Sequence, residues 1–319
     1  MISVVMPVYN EGAQICAHVH TVDDILTQAG IEHGFLLVDD GSADDTWAQL
    51  NRTADEVANT QLLRLSRNFG KEAALCAALE NADADAVVVM DSDLQHPPAV
   101  IVEMVRLWRE EGYDVVDGVK RSRGKENPIY GACARLYYML FARMTGVDLG
   151  QASDFKLMDR EALEAWRTCR ESNTFFRGMS AWVGFRHTQV PFEVAPREGG
   201  TSKWSFRALA KLFLTSITAY TAAPLMGVLW LGAAMGLAGF ILLVQTLYMY
   251  FSHRALTGFS TVIILQLLIG WGVMTGIAVV GLYVSKTYDE VKGRPRYLIR
   301  EKRGGAQTKP QGGAAPESR

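Results

Sequence analysis

Two carboxylates set two residues apart, Asp91 and Asp93, follow Val87-Val88-Val89-Met90 and precede Leu94-Gln95-His96-Pro97-Pro98. The valine-rich run reads as a strand buried on both faces, and the proline pair stops it and opens a helix. In an extended chain residues i and i+2 point the same way, so both carboxylates face one spot about 6–7 Å apart along the chain. Oxygen ligands so placed suit Mg²⁺ or Mn²⁺ holding a diphosphate, because such hard ions bind one or two carboxylates plus substrate phosphates. A strand's carboxyl end is also where open α/β sheets place their ligands. Taken alone, Asp-Ser-Asp is equally a polar turn that caps the next helix.

Other polar groups fall at comparable places. Tyr9, Asn10 and Glu11 follow a first strand, Ile2-Ser3-Val4-Val5-Met6-Pro7, and Asp39-Asp40-Gly41-Ser42 follows a second, Phe35-Leu36-Leu37-Val38. An acidic pair there can hydrogen-bond a ribose or base edge, though Asp-Gly-Ser also makes a turn and helix cap. A third strand, Leu62 to Leu65, leads to Ser66-Arg67-Asn68-Phe69-Gly70-Lys71. Asp154 opens the short strand of Asp154-Phe155-Lys156-Leu157-Met158-Asp159-Arg160, facing either the crevice of Asp91 and Asp93 or solvent. In Pro196-Arg197-Glu198-Gly199-Gly200-Thr201-Ser202-Lys203, the glycines loosen a loop whose Arg197, Ser202 and Lys203 offer donors to a phosphate.

With Tyr113 to Gly118 as a fifth strand, strand–helix units recur through the first third of the chain, the pattern of a mostly parallel sheet with right-handed crossovers. No Gly-x-Gly-x-x-Gly follows the first strand and no phosphate-loop motif occurs, which disfavours nicotinamide and P-loop chemistry. A further helix from about Pro128 to Thr145 carries Arg135, and Arg121 precedes it.

The hydrophobic share, 49%, is ordinary, but its distribution is not. Neither Leu212 to His253 nor Ala255 to Ser285 contains Asp, Glu, Lys or Arg, and each stretch exceeds the roughly 20 residues that span a bilayer. Spans over 225–251 and 259–284 with so short a link make a hairpin. Arg207 and Lys211 precede it and Lys286, Lys292, Arg294, Arg296, Arg300, Lys302 and Arg303 follow it, against Arg254 alone at the tip. The positive-inside rule then puts both termini in the cytoplasm. Phe206, Leu209, Leu212, Phe213, Ile217 and Tyr220 recur at helical spacing, which suits a helix lying in the membrane interface. Met1 to Met6 already reads as strand, so no signal peptide is expected. The four cysteines have no metal or redox spacing, the net charge of −2 says little about partners, and no nucleic-acid footprint stands out.

The expected architecture is an α/β domain over 1–203, an interfacial helix over 204–222, a transmembrane hairpin over 223–285, and a basic juxtamembrane segment with a disordered tail over 286–319. These motifs together resemble the family 2 glycosyltransferases of the GT-A fold, a Rossmann-like mostly parallel sheet. The resemblance is greater to the polyprenyl-phosphate transferases related to dolichol-phosphate mannose synthase. Its carriers are Pro7-Val8-Tyr9-Asn10-Glu11, Asp39-Asp40-Gly41-Ser42, Arg67-Asn68-Phe69-Gly70-Lys71, Asp91 to Pro98, Asp154 to Arg160 and Arg197 to Lys203, and it reaches about Tyr297.

The resemblance implies inverting transfer of one sugar from a nucleotide-sugar, first of all UDP-glucose, to a polyprenyl phosphate such as undecaprenyl phosphate. It implies that Pro7, Tyr9, Glu11, Asp39, Asp40, Lys71 and Asp91 bind the donor, and that Asp91, Asp93 and Gln95 hold Mg²⁺ or Mn²⁺. Asp154, Asp93 and Arg197 would carry catalysis, Asp154 at the position proposed for a base. Arg121, Arg135, Arg197, Ser202 and Lys203 would meet phosphates. A phosphate monoester is already largely a dianion at pH 7, since its second pKa is about 6, so an orienting role for Asp154 competes with a base role. The chain would sit in the inner membrane, multi-pass, with its catalytic domain cytoplasmic, as a homo-oligomer and by similarity a tetramer. The absence of Gln-x-x-Arg-Trp speaks against processive synthesis. The alternatives are another lipid acceptor such as diacylglycerol, or a catalytically silent membrane scaffold.

Overall fold

The computed structural model describes residues 1–120, 153–169, 176–193, 223–252 and 259–304, with positions 139, 143 and 171. Strands β1 (Ile2–Val8), β2 (His33–Asp39), β3 (Thr60–Leu65), β4 (Ala86–Val89), β5 (Val115–Lys120), β6 (Lys156–Asp159), β7 (His187–Phe192) and β8 (Ile299–Arg303) form one sheet in the order β7-β5-β6-β4-β1-β2-β3-β8. Among the described residues four pairings are parallel and three antiparallel. The parallel core β4-β1-β2-β3 is the part whose continuous apolar runs predict it. Antiparallel β6 wedges between β4 and β5, bringing Asp154, two residues ahead of it, beside the end of β4.

Alternation along the strands splits the interior in two. Val4, Met6 and Val88 face a core closed by α1 (Ile15–Gln28), α2 (Thr46–Glu56) and α4 (Ala99–Glu111), while Val5, Val87 and Val89 face one closed by α3 (Lys71–Asn81), α5 (Arg160–Thr168) and α6 (Phe176–Trp182). With both faces covered, β1 and β4 need no polar alternation, which is why they read as plain apolar runs.

Helices α7 (Ala223–Phe251) and α8 (Phe259–Val291) follow. Each holds a window long and apolar enough to cross a membrane, Leu225–Thr246 with mean hydropathy 2.2 and Leu268–Val291 with 1.8, and neither window is buried in the rest of the protein. They pack on each other through glycine: a Cβ at Gly272 would lie 2.5 Å from Met235 Sδ, and one at Gly276 would lie 3.3 Å from Val228 Cγ1.

The segment after α8 departs from expectation. The end of the basic run 292–303, expected as a juxtamembrane segment, returns to the sheet, where residues 299–303 pair as β8 against the outer edge of β3. Three of its charges meet protein partners: Arg296 reaches Glu80 Oε1 (3.3 Å) and the Cys169 carbonyl (2.6 Å), Lys302 donates to Asn81 Oδ1 (2.7 Å), and Arg303 to the Asn51 carbonyl (2.8 Å). The physical reason is an unpaired β3 edge, which a basic strand can satisfy and blunt. The interfacial helix of 204–222 and the tail beyond Gly304 lie outside the described residues.

Candidate active site

The loops after β1, β2, β3 and β4 meet at one end of the sheet and stitch each other in place. Asn10 N–H donates to Ser42 Oγ (2.9 Å), Glu11 N–H to Thr46 Oγ1 (2.9 Å), and Ala43 N–H to Asn10 Oδ1 (3.0 Å). Gly41 has φ +68° and lies so near the Arg67-Asn68 backbone that a Cβ would fall 2.7 Å from Asn68 N, so only glycine fits there. Between these loops opens a cavity of about 290 Å³ lined by Pro7, Tyr9, Glu11, Asp40, Lys71, Asp91, Asp93 and their neighbours. A cavity of about 530 Å³ elsewhere, beside Glu56, Asn59 and Gln61, lies away from these loops.

Seven residues expected to bind donor or metal therefore line one cavity. Two do not: Gln95 sits beside it on Asp93, and Asp39 is fully buried behind it, accepting from Ser42 N–H (2.8 Å) and pairing with Arg64 Nε (3.2 Å). Asp40 touches the cavity but spends its carboxylate on the chain, accepting from Phe69 and Gly70 N–H, both at 2.8 Å. Burial pushes its pKa up, against those two donors. That clamp fixes the residues just ahead of Lys71, the first residue of α3.

Lys71 is the hub. Its Nζ lies 2.6 Å from Asp91 Oδ1 and 2.9 Å from Asp154 Oδ2. Burial would lower its pKa, but the two carboxylates outweigh burial and raise it, so it stays an ammonium. Asp154, 8% exposed, also receives a fork from Arg177, with Nε to Oδ1 at 2.7 Å and Nη2 to Oδ2 at 3.0 Å. Burial opposes ionisation there, yet Arg177 and Lys71 hold the carboxyl well below the usual carboxylate range. Arg177 is the residue that motif reading missed. Its one visible signal is that no other Lys or Arg stands between Arg170 and Arg186. The helix carrying it is anchored on α3, where Glu72 Oε2 accepts from Phe176 N–H (2.9 Å).

The Asp91–Gln95 turn supplies oxygens. Leu94 has φ +52°, a strained value for a branched residue, and the turn it makes aims Gln95 N–H at Asp93 Oδ1 (3.1 Å) and Gln95 Nε2 at Asp93 Oδ2 (2.7 Å). Beneath it, His96 stacks on Phe155 at 4.8 Å, and burial lowers its pKa. Glu11 has a buried oxygen, Oε2, without a hydrogen-bond partner, and burial, Asp93 and Asp91 all push its pKa up despite Ser92 and His18. This surplus of carboxylate oxygen fits a hard divalent cation. Among the described residues no three His, Cys, Asp or Glu side chains converge to enclose an ion alone, so substrate oxygens would complete its shell. Arg121, Arg135, Arg197, Ser202 and Lys203 lie outside the described residues.

Comparison with known proteins bears on this arrangement. The sequence pattern described as Glycosyl transferase family 2 matches residues 3–167. The chain is 34% identical to the uncharacterized glycosyltransferase YkcC of Bacillus subtilis, covering 95% of this chain and 94% of that protein. It is 31% identical to the bactoprenol glucosyl transferase of Shigella phage SfII, over 94% and 97% of the two chains. It is also 31% identical to the undecaprenyl-phosphate 4-deoxy-4-formamido-L-arabinose transferase of Yersinia pestis, over 96% and 95%.

Proposed function

The chain belongs to glycosyl transferase family 2, and on that premise we propose that it moves one sugar from a nucleotide-sugar to a polyprenyl phosphate at the cytoplasmic face of the inner membrane. The observation that carries the reading is the charge order around Lys71. Its ammonium joins Asp91, which lines the cavity with Asp93, to the Asp154–Arg177 pair, beside a cavity large enough for part of a nucleotide.

Asp91 and Asp93, with Gln95, would hold Mg²⁺ or Mn²⁺, which when bound neutralises the departing nucleoside diphosphate. The chain's own groups bind and align. Pro7, Tyr9 and Glu11 line the cavity with Asp40, and Asp39 behind it holds the turn at Ser42. Inversion needs the acceptor phosphate oxygen to attack the anomeric carbon from the face opposite the leaving diphosphate. A dianionic acceptor has little proton to lose, so it needs cations in line rather than a base. We assign Asp154 the task of orienting Lys71 and Arg177, because Arg177 forks onto both of its oxygens and Lys71 bonds one, contacts that favour its ionised form over proton uptake. Arg121, Arg135, Arg197, Ser202 and Lys203 are proposed to meet the phosphates on the strength of the family resemblance.

The relatives that act on bactoprenol and undecaprenyl phosphate, and the two long apolar helices, support a lipid acceptor. Pairing of β8 with β3 supports a hairpin whose two flanks lie on one side of the bilayer, because the strand after α8 must meet the domain that precedes α7. The donor we favour is UDP-glucose.

The test is transfer of radiolabel in membranes, supplying undecaprenyl phosphate or diacylglycerol, Mg²⁺ or Mn²⁺ and a panel of nucleotide-sugars, run beside Asp93→Ala. Label should enter the polyprenyl lipid from one donor and vanish in the variant. Label in diacylglycerol alone would replace the acceptor, and none in either lipid with folded protein would sink the reading.

A further inference from the structure

We propose that Lys71 is the built-in competitor of the divalent cation: ammonium and metal are alternative occupants of Asp91, so that the site takes up its metal together with the diphosphate and resists it alone. This rests on the metal-dependent reading above and adds a role for Lys71 beyond donor contact.

Charge and geometry favour exchange over sharing. Lys71 Nζ lies 2.6 Å from Asp91 Oδ1. A divalent ion ligated by Asp91 would need carboxylate oxygen at about 2.0–2.2 Å, which sets three units of positive charge within a few ångström of one another. Asp91 has a second oxygen, but a metal there still faces the ammonium at short range, and moving Nζ off Oδ1 relieves that repulsion. The backbone of Lys71 cannot make the adjustment, because Asp40 holds the two preceding N–H groups at 2.8 Å and Ala74 N–H already bonds the Gly70 carbonyl at 3.1 Å. The four-carbon side chain can, and it has a second anchor: Asp154 Oδ2 at 2.9 Å, on a carboxylate that Arg177 holds in place through both oxygens. Lys71 can therefore release Asp91 while keeping Asp154. Diphosphate tips the balance by adding negative charge that attracts both cations. Without it, metal binding must first displace a charge-assisted hydrogen bond.

The experiment measures Mn²⁺ binding to the full-length purified protein by the electron paramagnetic resonance signal of free Mn²⁺, with Mn²⁺ alone and with Mn²⁺ plus UDP or GDP. Lys71→Met should bind Mn²⁺ alone about tenfold more tightly than wild type, the worth of one partly exposed charged hydrogen bond. Its gain in Mn²⁺ affinity on adding nucleotide should shrink by a similar factor. Lys71→Gln should follow Lys71→Met and guards against a misfolded variant, whereas Lys71→Arg, which keeps the charge, should stay with wild type. If neutral variants bind Mn²⁺ alone no more tightly than wild type, while Asp93→Ala abolishes binding, the competition is refuted and the metal site stands. If no protein binds Mn²⁺ even with nucleotide, or Asp93→Ala binds it unchanged, the metal reading itself falls and takes this inference with it.

Discussion

Arg177→Ala separates the two roles open to Asp154. The substitution removes hydrogen bonds of 2.7 and 3.0 Å to a carboxylate that is 8% exposed, and leaves Lys71 as its remaining charged partner in the described contacts. Charge-assisted hydrogen bonds contribute roughly 1.5–3 kcal/mol each. The arginine side chain is 40% exposed, so solvent screening discounts the pair to about 2–3 kcal/mol in total. If that alignment is realised in the transition state, kcat/KM for label transfer into the lipid fraction falls roughly 30- to 150-fold. A base role predicts otherwise. Losing Arg177 lets the Asp154 pKa rise toward the ordinary range, which makes the carboxylate a better proton acceptor and would hold or raise the rate. Arg177→Lys should recover part of the loss, because an ammonium supplies the charge without the fork. A variant that melts like wild type and keeps kcat/KM within threefold would refute the orienting role.

Two further outcomes concern the domain around the site. In the cluster where Lys156 Nζ, 1% exposed, meets Asp117 Oδ1 at 2.9 Å, burial would raise the Asp117 pKa, but Lys156 and His187 outweigh burial and lower it. Stability from a depressed carboxyl is present above its unfolded pKa and lost as pH falls through the folded one. Asp117→Asn should thus melt well below wild type at neutral pH, by an unpaired buried charge worth about 3–5 kcal/mol, with the gap closing below the usual carboxylate range; a pH-independent gap would contradict it. A chain ending at Gly293 should aggregate by size-exclusion chromatography, since it uncovers the β3 edge, and a monodisperse product would show that β8 is dispensable.

What could be read without coordinates follows from where the governing interactions are local. Val87 to Asp93 announces a buried strand and its polar end within seven residues, and α7 and α8 are visible because length and apolarity are one-dimensional properties. For Asp39 and Asp40 the local turn was legible, with Ser42 N–H on Asp39, but the distant partners were not, because Phe69 and Gly70 N–H and Arg64 lie 25 or more residues away. Arg177 is still more remote from any motif: its function depends on β6 placing Asp154 beside the end of β4 and on Glu72 docking α6, neither of which periodicity encodes. β8 was hidden for a different reason. Its charges match a juxtamembrane segment equally well, and only the vacant edge of β3 decides between them.

That last strand also sets a timetable. The ribosome finishes β3 at Leu65 and reaches Arg303 only after making the whole apolar hairpin, an interval of roughly 10–50 s at ordinary elongation rates. Throughout it the β3 edge of the nascent sheet lacks its strand partner, the kind of surface that recruits other strands. The final hydrogen bonds of the α/β domain therefore form after both apolar helices have been synthesised, and the fate of those helices becomes a step in the domain's own maturation. A chain stalled before the second helix would carry its chemistry-bearing loops on an unfinished sheet, a distinction that quality control could read from the bare edge alone.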